Sequence, residues 1–259
     1  MTLAVLLLVL AVLPTDRLAM ADRLFNKGDF AAAETEYRAL SEEPSIAVDE
    51  RLYRLAECAR ALRRTDEAMR LYTRLVAEAP DSKYVAPVRL QLALGASGDE
   101  RLRQLQALDT DRVEASVRAA ALYHLGVARN DAEILRRCVQ VEPKGRYAVY
   151  ADYRRGSILT DAADASVRRK GVEVLLGVAF GGGALADDAL FRAASVSYRE
   201  KKYGEAGSLF RRYRKMFPKG AHAEEARTLS VWCDYTEGRY ADAAVACGEG
   251  RTDDLSYVR

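Results

Sequence analysis

Leu52–Tyr84 reads LYRLAECARALRRTDEAMRLYTRLVAEAPDSKY, and Leu190–His222 reads LFRAASVSYREKKYGEAGSLFRRYRKMFPKGAH. Laid over each other without a gap, 138 residues apart, they place Leu52 on Leu190, Tyr53 on Phe191 and Ala56 on Ala194. Ala68 then falls on Ala206, Tyr72 on Phe210, Leu75 on Tyr213 and Pro80 on Pro218. A unit of this size cannot bury its apolar face alone, so repetition implies units stacked on one another. The apolar positions follow a helical period, and each unit reads as two antiparallel helices facing both each other and the next unit. Ala56, Ala68, Ala194 and Ala206 stand where two axes approach closely, and Tyr72, Leu75, Phe210 and Tyr213 fill the wider gap.

Two more copies extend the pattern. Ala21–Pro44 supplies Gly28, Phe30, Ala33, Tyr37, Leu40 and Pro44, and Leu229–Cys247 supplies Gly238, Tyr240, Ala243 and Cys247. Ala33 to Ala68 is 35 residues, Pro44 to Pro80 is 36 and Ala206 to Ala243 is 37, while Pro143 to Pro218 spans two units. Gly28 and Gly238 end a first helix and open its turn, and proline after the second helix stops it. Between Tyr84 and Gly183 the units weaken to three hairpins: 84–95 with 99–108, 111–128 with 131–141, and 147–160 with 165–180. Gly181-Gly182-Gly183 then reads as a helix terminator and a bend, because neither a preceding strand nor a Gly-Lys-Ser/Thr sequence supports a phosphate loop.

These anchors resemble the tetratricopeptide repeat. The junctions Pro80-Asp81-Ser82, Pro143-Lys144-Gly145 and Pro218-Lys219-Gly220 look like its bacterial envelope subtype, whose members work in outer-membrane assembly, with Tol–Pal and cell division, or in polysaccharide export. The resemblance implies an all-α, tetratricopeptide-like solenoid of about six helical hairpins, wound as a right-handed superhelix. Residues 22–180 form its N-terminal repeats and 184–259 its C-terminal ones. The last unit is incomplete: Thr252–Arg259 reads as a helix N-terminus, so a longer repeat protein is expected.

Composition agrees with a helical, packed chain: of 259 residues, 49% are hydrophobic and 30% charged, with 6 Pro and 17 Gly. Forty Lys+Arg against 38 Asp+Glu leave +2, which argues against a nucleic-acid binder. Two histidines, no HExxH, no GxSxG and no nucleotide fingerprint leave no catalytic, cofactor or metal expectation. Asp187-Asp188, Glu224-Glu225 and Asp253-Asp254 read as helix-start acids favoured by the macrodipole. Arg211-Arg212, Arg214-Lys215 and Arg168-Arg169-Lys170 read as solvated faces, with an acidic partner or an anionic lipid surface as the other reading. Cys233 and Cys247, on two helices of one hairpin, are either paired or two free thiols.

Leu3–Leu13 is an apolar run of 11, too short to span a bilayer but the length of a signal-peptide core. With Ala19-Met20-Ala21 behind it, residues 1–21 read as an export signal; a buried first helix of a cytosolic protein is the alternative. Export to the periplasm or outer membrane is the expectation.

In tetratricopeptide superhelices the first helices line a concave groove. Carried over, the resemblance implies a partner-binding surface at Tyr53, Glu57 and Arg60, and at Phe191, Tyr198, Arg199, Trp232 and Tyr235. Glu50, Asp188, Ser195, Glu225 and Thr228 stand in the same register. Exposed aromatics beside Arg and Glu suit a protein or peptide ligand, although Tyr53 and Phe191 fit inter-unit core equally well. Lys and Asn of a chaperone-type carboxylate clamp are absent. The expectation is a non-catalytic interaction scaffold of the bacterial envelope, associated peripherally with envelope membrane proteins. The docking region of a larger envelope enzyme and a cytosolic regulatory scaffold are the alternatives.

Overall fold

The computed structural model describes residues 14–40 and 47–248. Every described element is a helix: α1 (Pro14–Asn26), α2 (Phe30–Ala39), α3 (Val48–Ala61), α4 (Thr65–Glu78), α5 (Val85–Gly95), α6 (Gly98–Ala107) and α7 (Ala115–Arg129). They continue as α8 (Ala132–Val141), α9 (Ala148–Thr160), α10 (Ala165–Gly181), α11 (Ala186–Arg199), α12 (Tyr203–Met216), α13 (Ala223–Thr236) and α14 (Tyr240–Gly248). Within each unit the helices pack on their neighbours in chain order, as in a stack of hairpins. Seven hairpins stand among the described residues where about six were expected. Two compact units divide between Val117 and Arg118.

In the first unit, Ala21, Ala33, Tyr37, Leu55 and Cys58 form one core cluster, and Leu52, Ala56, Ala68, Tyr72 and Leu75 belong to the next. The apolar run at Leu3–Leu13 lies outside the described residues. The Ala19-Met20-Ala21 site falls inside α1, where Ala21 is fully buried.

In the second unit, Leu175, Leu190, Ala194, Ala206, Phe210 and Tyr213 sit in a single core cluster. Gly126 of α7 lies so near α8 that a Cβ there would come within 2.7 Å of Leu135. α10 packs directly on α11, with Gly181 as the last helical residue and Gly182 and Gly183 at positive φ. All four cysteines are free thiols, and burial pushes Cys58 and Cys233 up to about 11 and Cys138 up to about 12.

The turn inside a hairpin is one recurrent device. Asp29 N donates to Leu24 O, Arg64 N to Ala59 O, Asp131 N to Gly126 O, Lys202 N to Ser197 O and Arg239 N to Asp234 O. The preceding residue occupies the left-handed region each time: Gly28, Arg63, Asn130, Lys201 and Gly238. Such a turn closes the last carbonyls of the first helix. Asp29 and Asp131 also cap the second helix by accepting from its backbone N–H groups, as Asp164 does for α10. Lys201 sits at φ 59°, where a side chain costs about 1–2 kcal/mol relative to glycine. Lys201→Gly is therefore expected to stabilise the second unit by about 0.5–1 kcal/mol, after the entropy glycine returns to the unfolded chain. A rise in the urea midpoint checks it.

Candidate functional site

The junctions between hairpins are built as regularly as the turns. After Pro80, Pro143 and Pro218 the chain makes the same two bonds: Ser82, Gly145 and Gly220 donate back to Ala79, Glu142 and Phe217. Val85, Ala148 and Ala223 then donate to the carbonyls of Ser82, Gly145 and Gly220. Just before the next helix each junction presents a ring: Tyr84, Tyr147 or His222. An aromatic from the first helix of the preceding hairpin meets it. Tyr53 stacks on Tyr84 at 4.4 Å, Tyr123 meets Tyr147 at 5.0 Å, and Phe191 stacks on His222 at 4.2 Å. The sequence signal is Pro-x-(Ser/Gly)-x-(Tyr/His), two residues longer than the Pro-x-Ser/Gly motif alone.

The last of these pairs, Phe191 with His222, lies in the lining of a cleft in the second unit. α9, α11 and the start of α13 enclose about 350 Å³, lined by Tyr153, Asp161, Asp188, Phe191, Arg192, Ser195, Arg199 and His222. A second hollow of about 480 Å³ adjoins it through Asp161 and Arg199 and reaches Arg168 and Glu200. Asp161 is the charge centre between them. Arg192 donates to both of its oxygens at 3.0 and 3.2 Å, and Arg199 lies 3.9 Å away. His222 Nε2 stands 3.2 Å from Asp188 Oδ1. Hydrogen bonds from Lys202 and Arg168 hold the Glu200 carboxyl below its ordinary range. Arginine pairs of this kind, half open to solvent, can exchange an internal carboxylate for one on a ligand.

The groove residues expected from sequence have three fates. Phe191 and Arg199 line the cleft. Tyr198, whose phenol burial pushes up, takes Tyr203 and Phe210 as ring partners at 5.6 and 6.4 Å. Trp232 is 43% exposed and Tyr235 48%, and they meet edge to face, with Tyr240 beyond Tyr235 at 5.3 Å. Trp232 holds in α13 the register that Ser195 holds in α11, 37 residues earlier. In the first unit, Tyr53 is half-buried and raised in pKa by that burial. Glu57 accepts from Tyr72 and from Arg60, which leaves Arg60 tethered at the surface.

Tyr153, Asp161, Arg192 and His222 were not expected at the site. Tyr153 and Asp161 belong to the degenerate middle, Arg192 stands on α11, and His222 stands at the junction before α13. Among the described residues, no three His, Cys, Asp or Glu side chains converge to hold a metal, and no helix is long and apolar enough to cross a membrane.

Residues 52–82 and 188–220 match the tetratricopeptide repeat family. No curated protein matches the sequence. Among solved structures, Pseudomonas aeruginosa PilF is 14% identical with a TM-score of 0.56, over 83% of this chain and 96% of that one. The C-terminal part of a TPR repeat-containing protein from Cytophaga hutchinsonii is 15% identical, with a TM-score of 0.44 over 81% and 98%. Yeast Tom70 is 10% identical, with a TM-score of 0.37 over 91% and 68%. At 14% identity PilF shares the fold alone. The chain is thus an all-α array of hairpins in the tetratricopeptide manner, and two of its segments carry the sequence of that repeat.

Proposed function

We propose that this chain is a non-catalytic scaffold of the bacterial cell envelope that holds a protein or peptide partner on the first-helix face of its second unit. Tetratricopeptide repeat proteins are in general protein-interaction scaffolds. The observation that carries the reading is the cleft of α9, α11 and α13: a concave surface with an arginine pair, an apolar wall at Phe191 and the exposed Trp232 on the adjoining helix. Aromatic anchors beside arginine are the usual energetic centres of such surfaces. The envelope assignment rests on the apolar run at Leu3–Leu13 and on the Pro-x-Ser/Gly junctions. Processing after Ala21 would take the first two turns of α1, and N-terminal sequencing of protein from its native host tests it.

The groove is tested by photocrosslinking in the native host from Ser195, inside the cleft, and from Glu173, exposed on α10. A defined adduct is expected from Ser195 and not from Glu173. Arg192→Glu with Arg199→Glu, or Trp232→Ala, should weaken it at least tenfold, since losing one such anchor costs about 2 kcal/mol. Identical adducts from both positions, or adducts indifferent to these changes, would remove the groove.

A further inference from the structure

The end of α10 and the outer stripe of α12 make a surface that neither the core nor the cleft uses. Phe180 is 45% exposed, and the Arg212 guanidinium lies over its ring at 3.9 Å. Met216, one turn beyond Arg212 on the same face of α12, is 40% exposed. Lys215 stands beside it and Lys219 follows in the next turn, both exposed. Gly181, Gly182 and Gly183, bare of side chains and exposed, adjoin Phe180.

Several arginines of the second unit are held by carboxylates. Arg155 is tied to Asp152 at 2.8 Å, Arg192 to Asp161 at 3.0 Å, and Arg211 and Arg239 to Asp234 at 2.6 and 2.7 Å. Among the described residues Arg212, Lys215 and Lys219 have no carboxylate partner. Three such cations therefore stand at or within three or four residues of two exposed apolar side chains on this edge, one of which is capped by a guanidinium.

We propose that this edge rests on an anionic bilayer surface, with Phe180 and Met216 entering the interfacial zone and the three cations meeting lipid phosphates. A bilayer offers negative charge outside and apolar chains beneath, which is the order in which this edge presents its complements. Isolated anchors ringed by cations are too sparse to form the dry centre of a protein interface, whose apolar area is contiguous. The surface is separate from the cleft, so the two proposals stand or fall apart.

The test is co-sedimentation of the full chain with vesicles of phosphatidylcholine, with and without phosphatidylglycerol. Binding is expected only to the anionic vesicles. Each of Arg212→Ser, Lys215→Ser and Lys219→Ser should weaken it about fivefold, the usual contribution of a cation near such a surface. Phe180→Ser should weaken it several-fold at unchanged charge, whereas Lys27→Ser and Arg70→Ser, exposed cations of the first unit, should change it little. All these side chains are exposed, and thermal melts will confirm that each variant folds. Equal binding to both vesicle types, indifference to Phe180→Ser, or equal losses in the control variants would overturn the proposal. So would retention of an oligonucleotide or heparin with no vesicle binding, which would assign the edge to another polyanion.

Discussion

Gly171→Leu is expected to lower the stability of the second unit by about 3 kcal/mol, while Gly177→Ala in the same helix raises it by about 0.5–1 kcal/mol. Gly156 of α9 and Gly171 of α10 face each other backbone to backbone. A Cβ at 171 would lie 2.7 Å from Thr160 N and 2.9 Å from Gly156 O, and one at 156 would lie 2.8 Å from Leu175 Cγ. Backbone atoms cannot rotate aside as a flexible side chain can, so the two helices must separate. Separation would uncover Leu175, now fully buried. Nothing stands within 4 Å of a Cβ at 177, so alanine there brings only its better helix propensity. Urea unfolding of the two variants side by side makes the comparison internal. Equal midpoints would mean that α9 and α10 do not cross at Gly156 and Gly171.

The second large effect is at Tyr213. Its ring is fully buried, edge-on to Phe191 at 5.8 Å and tilted on Phe217 at 5.4 Å. Its hydroxyl accepts from the backbone N–H of His222 at 3.1 Å. Tyr213→Ala should cost about 4 kcal/mol, as expected when a buried aromatic leaves a cavity. Tyr213→Phe keeps the packing but orphans the His222 amide, at about 1 kcal/mol. Because His222 carries the ring that stacks on Phe191, the phenylalanine variant should also weaken partner capture per folded molecule. A capture experiment normalised to folded protein separates that loss from instability. Unchanged stability in Tyr213→Phe would show that water replaces the hydroxyl at this junction.

The hairpins could be read from sequence even where repetition fails. The span 147–160 anticipates α9 at Ala148–Thr160, and 131–141 anticipates α8 at Ala132–Val141. Local chemistry marks these boundaries: Asp131 and Asp164 cap from within three residues, and proline stops α4, α8 and α12 just past their ends. The site was less legible because its members come from three hairpins. Phe191 and Arg199 face the cleft by register, but Asp161 joins them only because α9 packs behind α11. Tyr198 has the same register logic, yet the turn after it brings Tyr203 to its ring. Tyr235 and Tyr240 repeat that spacing and that contact, so the repeat itself carried the clue. Only the start of α1 was hidden, for another reason: its first turns overlap a stretch that also reads as a leader, and Ala21 serves both readings.

The ring that each junction presents has a consequence for the gene. Tyr84, Tyr147 and His222 follow their prolines at one fixed distance, and each is met by an aromatic from the hairpin before it. Unequal recombination between two proline codons would remove or duplicate whole hairpins and still leave an aromatic at the seam to be stacked upon. Recombination within a helix would instead set mismatched faces together, as at Gly156 and Gly171. Insertions and deletions that survive in this coding sequence should therefore have their ends at these junctions and come in lengths near two or four full hairpins.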